Sequence, residues 1–250
     1  MKDAKWRVIQ LQSHNAFMNM AIDEAVSESV AKGQYPTIRF YKWLPSAVSV
    51  GYFQSLKDEV NIQNCKELGI DIIRRRTGGG AVYHSNRGEI TYSVIGPTKL
   101  FPKNIIESYQ VICDWIILGL AKLGIKAEFS PINDIIVKGK KISGNAQTRR
   151  NNILLQHGTI LFDVDVDKMF SVLNVPDEKI KDKLIKDVKE RVTRVLDFKK
   201  VDAQKTYEAL LDGFTKDKSF EYGDLTEVEL LRAKELVRER YSKDDWNYMK

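Results

Sequence analysis

The sequence has few cysteines, no long apolar run and no apolar N-terminal segment, which argues against disulfide-rich, membrane-spanning and secreted proteins. Its 250 residues include two cysteines, Cys65 and Cys113, too few for a disulfide framework and without metal-ligand spacing. The longest apolar stretch, residues 115–121, is far shorter than the roughly 20 residues needed to cross a bilayer. Residues 1–7 carry no apolar segment typical of a secretory signal. We therefore expect a cytoplasmic protein with reduced, buried thiols and no membrane partner.

The chain also lacks repeats, low-complexity tracts and linkers rich in proline, glycine or serine, so we predict one unit over residues 1–250. Helical periodicity is present at 15–31, 58–68, 104–123, 203–214 and 226–241, and β-rich runs occur at 37–43, 47–53, 71–75, 81–84, 89–95, 126–129, 134–138, 141–147 and 153–162. The first two runs suggest a hairpin or adjacent strands. Strands dominate before about residue 167 and helices after it, which predicts an α+β fold.

Positive charge is concentrated rather than spread along the chain. The formal net charge is +6, yet residues 177–250 carry 18 basic and 18 acidic residues, so the excess lies before them. Eight basic residues fall within 74–76 and 138–150. Such local clusters of positive charge are typical of sites that bind phosphate groups. No nucleic-acid-binding module is recognisable, so we expect no nucleic-acid partner.

A run of three glycines, Gly78, Gly79 and Gly80, follows Arg74–Arg76 and precedes a β-rich segment. Without a Cβ, such a loop can turn sharply and bring its N–H groups close to a phosphate or carboxylate. It has neither the Gly-Lys-Ser/Thr ending of a phosphate loop nor the G-x-G-x-x-G spacing of a dinucleotide site. A flexible hairpin with solvated arginines remains the other interpretation.

A second informative segment begins at residue 133. Residues 138–140, Lys-Gly-Lys, predict a tight turn that places Asp134 and Lys141 on facing strands, where they can form a plain ion pair. The small residues within 143–146 leave room for a flat ligand. His157 stands alone in sequence, and such a histidine is more often a core residue than a catalytic one.

Taken in order, these segments resemble the lipoate-protein ligase family. The family motifs R-R-x-S/T-G-G-G-x-V-F/Y-H, N-D, K-I/V-S-G-x-A and H-G-T match residues 74–84, 133–134, 141–146 and 157–159, and residues 189–193 match a further segment. The resemblance implies an α+β fold related to biotin protein ligases and class II aminoacyl-tRNA synthetases. It also implies that ATP activates lipoate to lipoyl-AMP, from which the lipoyl group passes to a lysine of a lipoyl-domain acceptor. Such acceptors include the 2-oxoacid dehydrogenase E2 and the glycine cleavage H protein.

The resemblance also implies roles for individual residues. The catalytic residue would be Lys141, contacting the lipoate carboxylate and the α-phosphate. Binding of ATP and lipoyl-AMP would involve Arg75, Gly78, Gly79, Gly80, Ala81, Val82, Tyr83, Asn133, Asp134 and Lys141. Lipoate would contact His84, Lys141, Gly144 and His157. Asp134 is a candidate Mg²⁺ ligand, with the ion pair to Lys141 as the alternative.

Two other functions remain open at this point. An ATP-independent octanoyltransferase of the same superfamily takes its acyl group from acyl carrier protein through a cysteine, or a lysine and a cysteine, and residues 141–147 and 154–158 resemble its motifs. Against it, no cysteine follows Cys113, and neither cysteine lies in the strand before Asn133. The second is a non-catalytic nucleic-acid or effector-binding protein that keeps the ligase fold.

Larger members of the family continue past a W-N/R-F/Y segment, here residues 246–248, into an accessory C-terminal domain. We expect that domain to be absent here and supplied by a separate small subunit.

Overall fold

The computed structural model describes residues 4–174 and 181–249. The strands are β1 (Lys5–His14), β2 (Thr37–Trp43), β3 (Ala47–Val50), β4 (Asp71–Arg74), β5 (Val82–His84), β6 (Glu89–Pro97), β7 (Glu128–Ser130), β8 (Asp134–Val137), β9 (Lys140–Arg150), β10 (Ile153–Leu161) and β11 (Ser219–Tyr222). The helices are α1 (Ala16–Ala31), α2 (Leu56–Glu59), α3 (Ile62–Glu67), α4 (Ile105–Lys122), α5 (Val166–Val172), α6 (Lys181–Arg191), α7 (Ala203–Thr215), α8 (Glu227–Leu236) and α9 (Asp244–Asn247). Short 3₁₀ turns cover Thr98–Leu100 and Val195–Asp197, and a π turn covers Val237–Tyr241.

Two sheets organise the described residues. The larger has the strand order β11-β1-β2-β6-β10-β9-β8-β7, and the smaller has the order β4-β3-β5. In the large sheet, β1 runs parallel to both of its neighbours, whereas the remaining pairs, β2–β6, β6–β10, β10–β9, β9–β8 and β8–β7, are antiparallel. Mixed sheets with helices packed on them confirm the α+β prediction.

The side-chain alternation of β2 shows how the large sheet is covered on both faces. Ile38 and Phe40 face a core shared with α4 and α7, where the Phe40 and Phe214 ring centroids are 5.0 Å apart. Tyr41 and Trp43 face the other core, which contains α1 and α8. A third, smaller core joins the small sheet to α2, α3 and α5.

The two longest predicted helices, α1 and α4, are confirmed to within one residue at each end. Each begins after an asparagine whose side chain accepts a hydrogen bond from the main chain three residues on. Asn15 Oδ1 accepts from Met18 N at 2.9 Å, and Asn104 Oδ1 accepts from Glu107 N at 3.1 Å. These caps satisfy main-chain donors that a helix start leaves free.

Two local predictions are wrong. The runs at 37–43 and 47–53 are neither a hairpin nor adjacent strands, because β2 joins the large sheet and β3 the small one. The predicted helix at 58–68 is two short helices, since Val60 is extended and forms a bridge with Leu173. Asn61 then starts α3 by accepting from Asn64 N.

The sequence prediction also missed both β1 and β11. The part of the chain after residue 167 is mainly helical as expected, with β11 as the exception. Among the described residues, no helix has the length and apolar character required to cross a membrane.

Candidate active site

A cavity of about 320 Å³ lies between the two sheets and brings most of the predicted site residues together. Eleven of those residues line it: Arg75, Gly79, Gly80, Ala81, Val82, Tyr83, His84, Asn133, Lys141, Gly144 and His157. Apolar side chains form much of the remaining wall, among them Met20, Trp43, Leu161, Val164, Val166, Met169 and Val192. The cavity therefore combines a cationic, glycine-rich part with a surface suited to an aliphatic chain.

Two predicted residues, Gly78 and Asp134, do not line the cavity. Gly78 turns its carbonyl toward the Arg75 guanidinium, which donates to it at 2.8 Å. Asp134 directs its carboxylate to the ammonium group of Lys141. Both residues therefore contact a cavity residue instead of the space itself.

The glycine loop is held from inside by Arg75. Its Nη2 donates to the carbonyls of Gly78 and Gly80 at 2.8 and 2.7 Å, and its Nη1 donates to the Ser49 carbonyl and hydroxyl at 3.1 and 3.0 Å. Burial lowers the pKa of Arg75 to about 10, so its guanidinium stays cationic at neutral pH. Gly79 has a φ of 96°, a conformation that favours glycine.

With two loop carbonyls turned inward, the N–H groups of the loop remain available. Within the described chain, the N–H groups of Gly79, Gly80 and Ala81 donate to no other residue. Consecutive free N–H groups beside a cation form a concave site for an anion. The loop therefore has the chemistry of a phosphate or carboxylate cradle.

Lys141 lies at the start of β9, opposite β8, as the predicted tight turn required. Its Nζ is 2.7 Å from Asp134 Oδ1, and the two side chains are 41% and 33% exposed. The side chain passes directly over Gly144, where an added Cβ would lie 2.8 Å from both Cε and Nζ of Lys141. The ion pair and the missing side chain at residue 144 together fix the ammonium group at the cavity wall.

The main chain of Lys141 is fixed as well. Its carbonyl accepts a hydrogen bond from Thr193 N at 2.8 Å, and Lys141 forms a parallel bridge with Val192. Asp197 in turn accepts from the Thr193 hydroxyl at 2.9 Å and from Arg194 N at 3.1 Å. The sequence segment after α6 is thus tied to the predicted catalytic lysine.

His84 uses both of its ring nitrogens within the protein. Nδ1 lies 2.7 Å from Glu89 Oε1, and Nε2 lies 2.8 Å from Ser49 Oγ. The ring stacks on Trp43 with a centroid distance of 4.0 Å. Ser49 Oγ also accepts from Arg75, which in turn holds the glycine loop. Hydrogen bonds therefore connect Glu89 to the loop through His84, Ser49 and Arg75. His84 can offer a ligand its ring edge but no free nitrogen.

His157 is engaged in a similar buried chain. Its Nε2 lies 2.7 Å from Thr77 Oγ1 in the glycine-loop segment, and its Nδ1 lies 3.5 Å from Asp23 Oδ2. Burial lowers the pKa of His157. Burial alone would raise the pKa of Asp23, but the hydrogen bond to His157 and the Arg39 guanidinium, 2.9 Å away, lower it overall. At neutral pH, the ionised carboxylate of Asp23 therefore lies next to the neutral imidazole of His157.

The two arginines that flank Arg75 do not contact the cavity. Arg74 is fully buried and donates to six carbonyls, three in the loop after β3 and three in residues 246–249. Arg76 forms an ion pair with Glu24 at 2.9 Å. Glu24 also accepts from Arg240 and the Tyr241 hydroxyl. These arginines join the glycine-loop segment to α1 and to the last helices.

Sequence reasoning missed several buried polar residues that support the site. They are Asp23, Ser49, Thr77, Glu89 and Asn145. Asp23 carried a usable signal, because the acidic pair Asp23–Glu24 interrupts the apolar face of α1, and Thr77 and Asn145 lie within the motifs at 74–84 and 141–146. The others depend on which strands become neighbours, which local sequence does not specify.

The two cysteines lie away from the cavity. Cys65 in α3 and Cys113 in α4 are both fully buried. Burial raises the pKa of Cys65 to about 11. Burial, together with the negative charges of Asp114 and Asp134, raises the pKa of Cys113 further. The prediction that both cysteines lie in the buried faces of helices is confirmed.

Comparison with known sequences gives two kinds of match. Residues 15–215 match the family model of the lipoyl protein ligase A/B catalytic domain. The octanoyltransferase LipM of Brevibacillus brevis is 36% identical over 273 aligned residues, covering 97% of this chain and 98% of the relative. LipM of Staphylococcus aureus is 34% identical, covering 98% and 99%.

Solved structures of lipoate-protein ligases resemble this chain at about the same sequence identity as the octanoyltransferases. A bipartite lipoate protein ligase from Thermoplasma acidophilum, described with its E2 lipoyl domain, has a TM-score of 0.90 and 34% identity, covering 98% of this chain and 96% of its own. A lipoate-protein ligase A bound with ATP has a TM-score of 0.85 and 32% identity, covering 98% of both chains. Because transferases and ligases match over nearly the full length, similarity alone does not distinguish the acyl donor. The chain belongs to the lipoyl protein ligase A/B catalytic family, whose members attach lipoyl or octanoyl groups.

Proposed function

We propose that this chain is the catalytic subunit of an ATP-dependent lipoate-protein ligase. It activates lipoate to lipoyl-AMP, with loss of pyrophosphate, and passes the lipoyl group to a lysine of a lipoyl-domain acceptor, with loss of AMP. The position of the cysteines carries this proposal. A nucleophilic cysteine needs an accessible thiol with a lowered pKa. Cys65 and Cys113 have buried thiols with raised pKa values and do not line the cavity.

The cavity supplies what the adenylation step needs. When the lipoate carboxylate attacks the α-phosphate, negative charge grows on the phosphate oxygens. A preorganised cation or N–H donor at such a position contributes about 10²- to 10³-fold in rate. Lys141, Gly79 and Gly80 all line the cavity, and the N–H groups of the two glycines donate to no other described residue.

The transfer step uses the same lysine. When the acceptor amine attacks the lipoyl carbonyl, the charge that forms on the oxygen lies beside the Lys141 ammonium. Asp134 holds that ammonium at 2.7 Å, so the cation does not have to reorganise during the reaction. The apolar wall formed by residues such as Leu161 and Val164 accommodates the aliphatic chain and excludes water.

Magnesium would enter with ATP, not as a resident ion. Among the described residues, no group of three or more histidine, cysteine, aspartate or glutamate side chains could hold a metal. Asp134 offers one carboxylate, already paired with Lys141. One carboxylate fits a Mg²⁺ that keeps waters and phosphate oxygens as its other ligands. There the ion would neutralise the pyrophosphate that leaves.

We propose two protein partners. The acceptors are lipoyl domains, the class of protein described with the bipartite Thermoplasma ligase that this chain resembles. The second is a small accessory subunit that assists adenylation, supported by the same similarity to one chain of a two-part ligase.

The alternative function is an octanoyltransferase, favoured by the names of relatives such as LipM of Brevibacillus brevis. One experiment separates the two. The pure chain is incubated with an apo lipoyl domain and either ATP plus lipoate, with and without an accessory subunit, or octanoyl-acyl carrier protein, and the acceptor is weighed by mass spectrometry. We expect a lipoyl mass shift that requires ATP and no octanoyl shift.

A cysteine-free variant, Cys65→Ser with Cys113→Ser, makes the result sharper. We expect it to retain lipoylation near the unmodified level, with reduced stability only. Octanoyl transfer that disappears in a folded double variant would instead establish a thiol nucleophile and overturn the ligase proposal.

A further inference from the structure

A reciprocal set of hydrogen bonds joins Asn145 of β9 to Asn133, the residue before β8. The N–H and the Nδ2 of Asn145 both donate to the Asn133 carbonyl, at 3.1 and 2.8 Å, and Asn133 Nδ2 donates back to the Asn145 carbonyl at 2.5 Å. We call these contacts the asparagine clasp. The next residue, Asp134, is the partner of Lys141. The clasp therefore fixes the main chain from which that carboxylate projects.

A chain of buried side chains sets the direction of the Asn145 amide. Gln156 Nε2 donates to the Tyr92 hydroxyl at 2.7 Å, so the single proton of that hydroxyl donates to Asn145 Oδ1, also at 2.7 Å. Gln156 accepts from Gln147 Nε2 at 2.9 Å, and Gln147 Oε1 accepts from Arg149 Nε at 3.3 Å. With Oδ1 occupied by Tyr92, the Nδ2 of Asn145 must face the clasp.

The opposite strand leaves space for this amide. Gly158 of β10 lies across from Asn145, and an added Cβ there would be 2.0 Å from Asn145 Oδ1 and 2.9 Å from its Cγ. The glycine of the H-G-T segment therefore accommodates a side chain of β9.

We infer that Asn145 is a positioning residue for the Asn133–Asp134 corner and, through it, for Lys141. This inference rests on the proposed function for its catalytic consequence. Asn145 lines the cavity and is 4% exposed, yet Tyr92 and Asn133 occupy both polar atoms of its side chain. Its amide acts on the position of neighbouring groups and not directly on a ligand.

The test is Asn145→Asp, which keeps the size of the side chain and replaces the Nδ2 donor with an oxygen facing the Asn133 carbonyl. Asn64→Asp is the matched control, because Asn64 Nδ2 donates to the Ser171 carbonyl at 2.7 Å away from the cavity wall. Two quantities are measured: hydrogen exchange of amides 132–136 in the ligand-free protein, and single-turnover acyl transfer at saturating donor.

We expect Asn145→Asp to speed exchange of amides 132–136 at least tenfold and to slow transfer at least tenfold, with the control within twofold for both. Tyr92→Phe should give smaller changes of the same sign, because it removes only the contact that orients the amide. Unchanged exchange in Asn145→Asp would overturn the clasp, and faster exchange with normal transfer would overturn its catalytic consequence.

The exchange result is independent of the acyl donor. If the unmodified chain uses octanoyl-acyl carrier protein, the ligase proposal fails while the clasp is still tested.

Discussion

The ammonium group of Lys141 occupies a position that several neighbours define. Asp134 lies 2.7 Å away, and Gly144 leaves the space that the lysine side chain crosses. We predict that Lys141→Ala reduces acyl transfer by about 10²- to 10³-fold while the fold is retained, because the lost cation faces the cavity. Lys141→Arg should fail as well, since a planar guanidinium does not replace a compact point charge.

Transfer to an apo lipoyl domain, followed by mass spectrometry, measures this loss, and thermal unfolding provides the control for folding. A Lys141→Ala protein that melts normally and keeps more than a tenth of the original rate would show that the lysine serves only as the ion-pair partner of Asp134.

The buried imidazole of His157 makes stability depend on pH. Its pKa in the folded protein is below the ordinary value of about 6.5. As the pH falls below about 6.5, the unfolded chain therefore binds a proton that the folded chain does not, and the free energy of unfolding decreases. Asp23, whose pKa is lowered, loses its contribution only at more acidic pH.

We predict that the free energy of unfolding falls between pH 7.5 and about 5.5 and that His157→Gln reduces this fall. Burial also lowers the pKa of His14, so the variant should keep the part of the pH dependence that His14 causes. Urea unfolding at the two pH values measures it. The same decrease in both proteins would exclude His157 as the titrating group.

At the scale of elements, the α4 and α7 helices approach closely enough for their main chains to touch. An added Cβ at Gly213 would lie 2.3 Å from the Trp115 carbonyl oxygen and 2.5 Å from Gly119 N. We predict that Gly213→Ala destabilises the protein by about 1–3 kcal/mol, the usual cost of overpacking. Chemical denaturation measures it, with the exposed neighbour Asp212→Ala as a control within about 0.5 kcal/mol. Equal stability of the two variants would contradict the close packing.

The elements that the sequence predicted well are those defined by local pattern. Helices α1 and α4 have an apolar stripe and an asparagine cap, and both signals lie within the segment itself. The pairing of β2 and β3 was wrong because β propensity does not specify a partner strand. Strand β11 is only four residues long, and although polar and aromatic residues alternate in it, all four are exposed, so a run this short gave too weak a signal.

In the candidate site, too, residues within contiguous motifs were predicted, whereas contacts between distant strands were not. The glycine loop and Lys141 were found because their motifs are contiguous in sequence. The contacts of Ser49 with His84 and of Asn145 with Tyr92 were missed, since these partners come from strands distant in sequence. His84 and His157 line the cavity, but local sequence did not show that their nitrogens contact buried acids and hydroxyls.

For the whole molecule, the proposed accessory subunit leads to a kinetic prediction. We expect the chain alone to transfer lipoyl from preformed lipoyl-AMP, but to release pyrophosphate from ATP and lipoate slowly until a small partner is added. The basis is the similarity to one chain of a bipartite ligase. A pyrophosphate-release assay with the chain alone measures it. Rapid, stoichiometric release without a second protein would show that no partner is required.

The pairing of β1 with β11 also has a consequence for biosynthesis. Residues 5–8 form hydrogen bonds with residues 219–222, so the N-terminal strand gains its outer neighbour only after most of the chain has been made. Until then, one edge of β1 presents unpaired N–H and carbonyl groups, which are a template for pairing with other chains. On the ribosome, this open edge is a place where a partly synthesised chain can aggregate and where a chaperone could protect it.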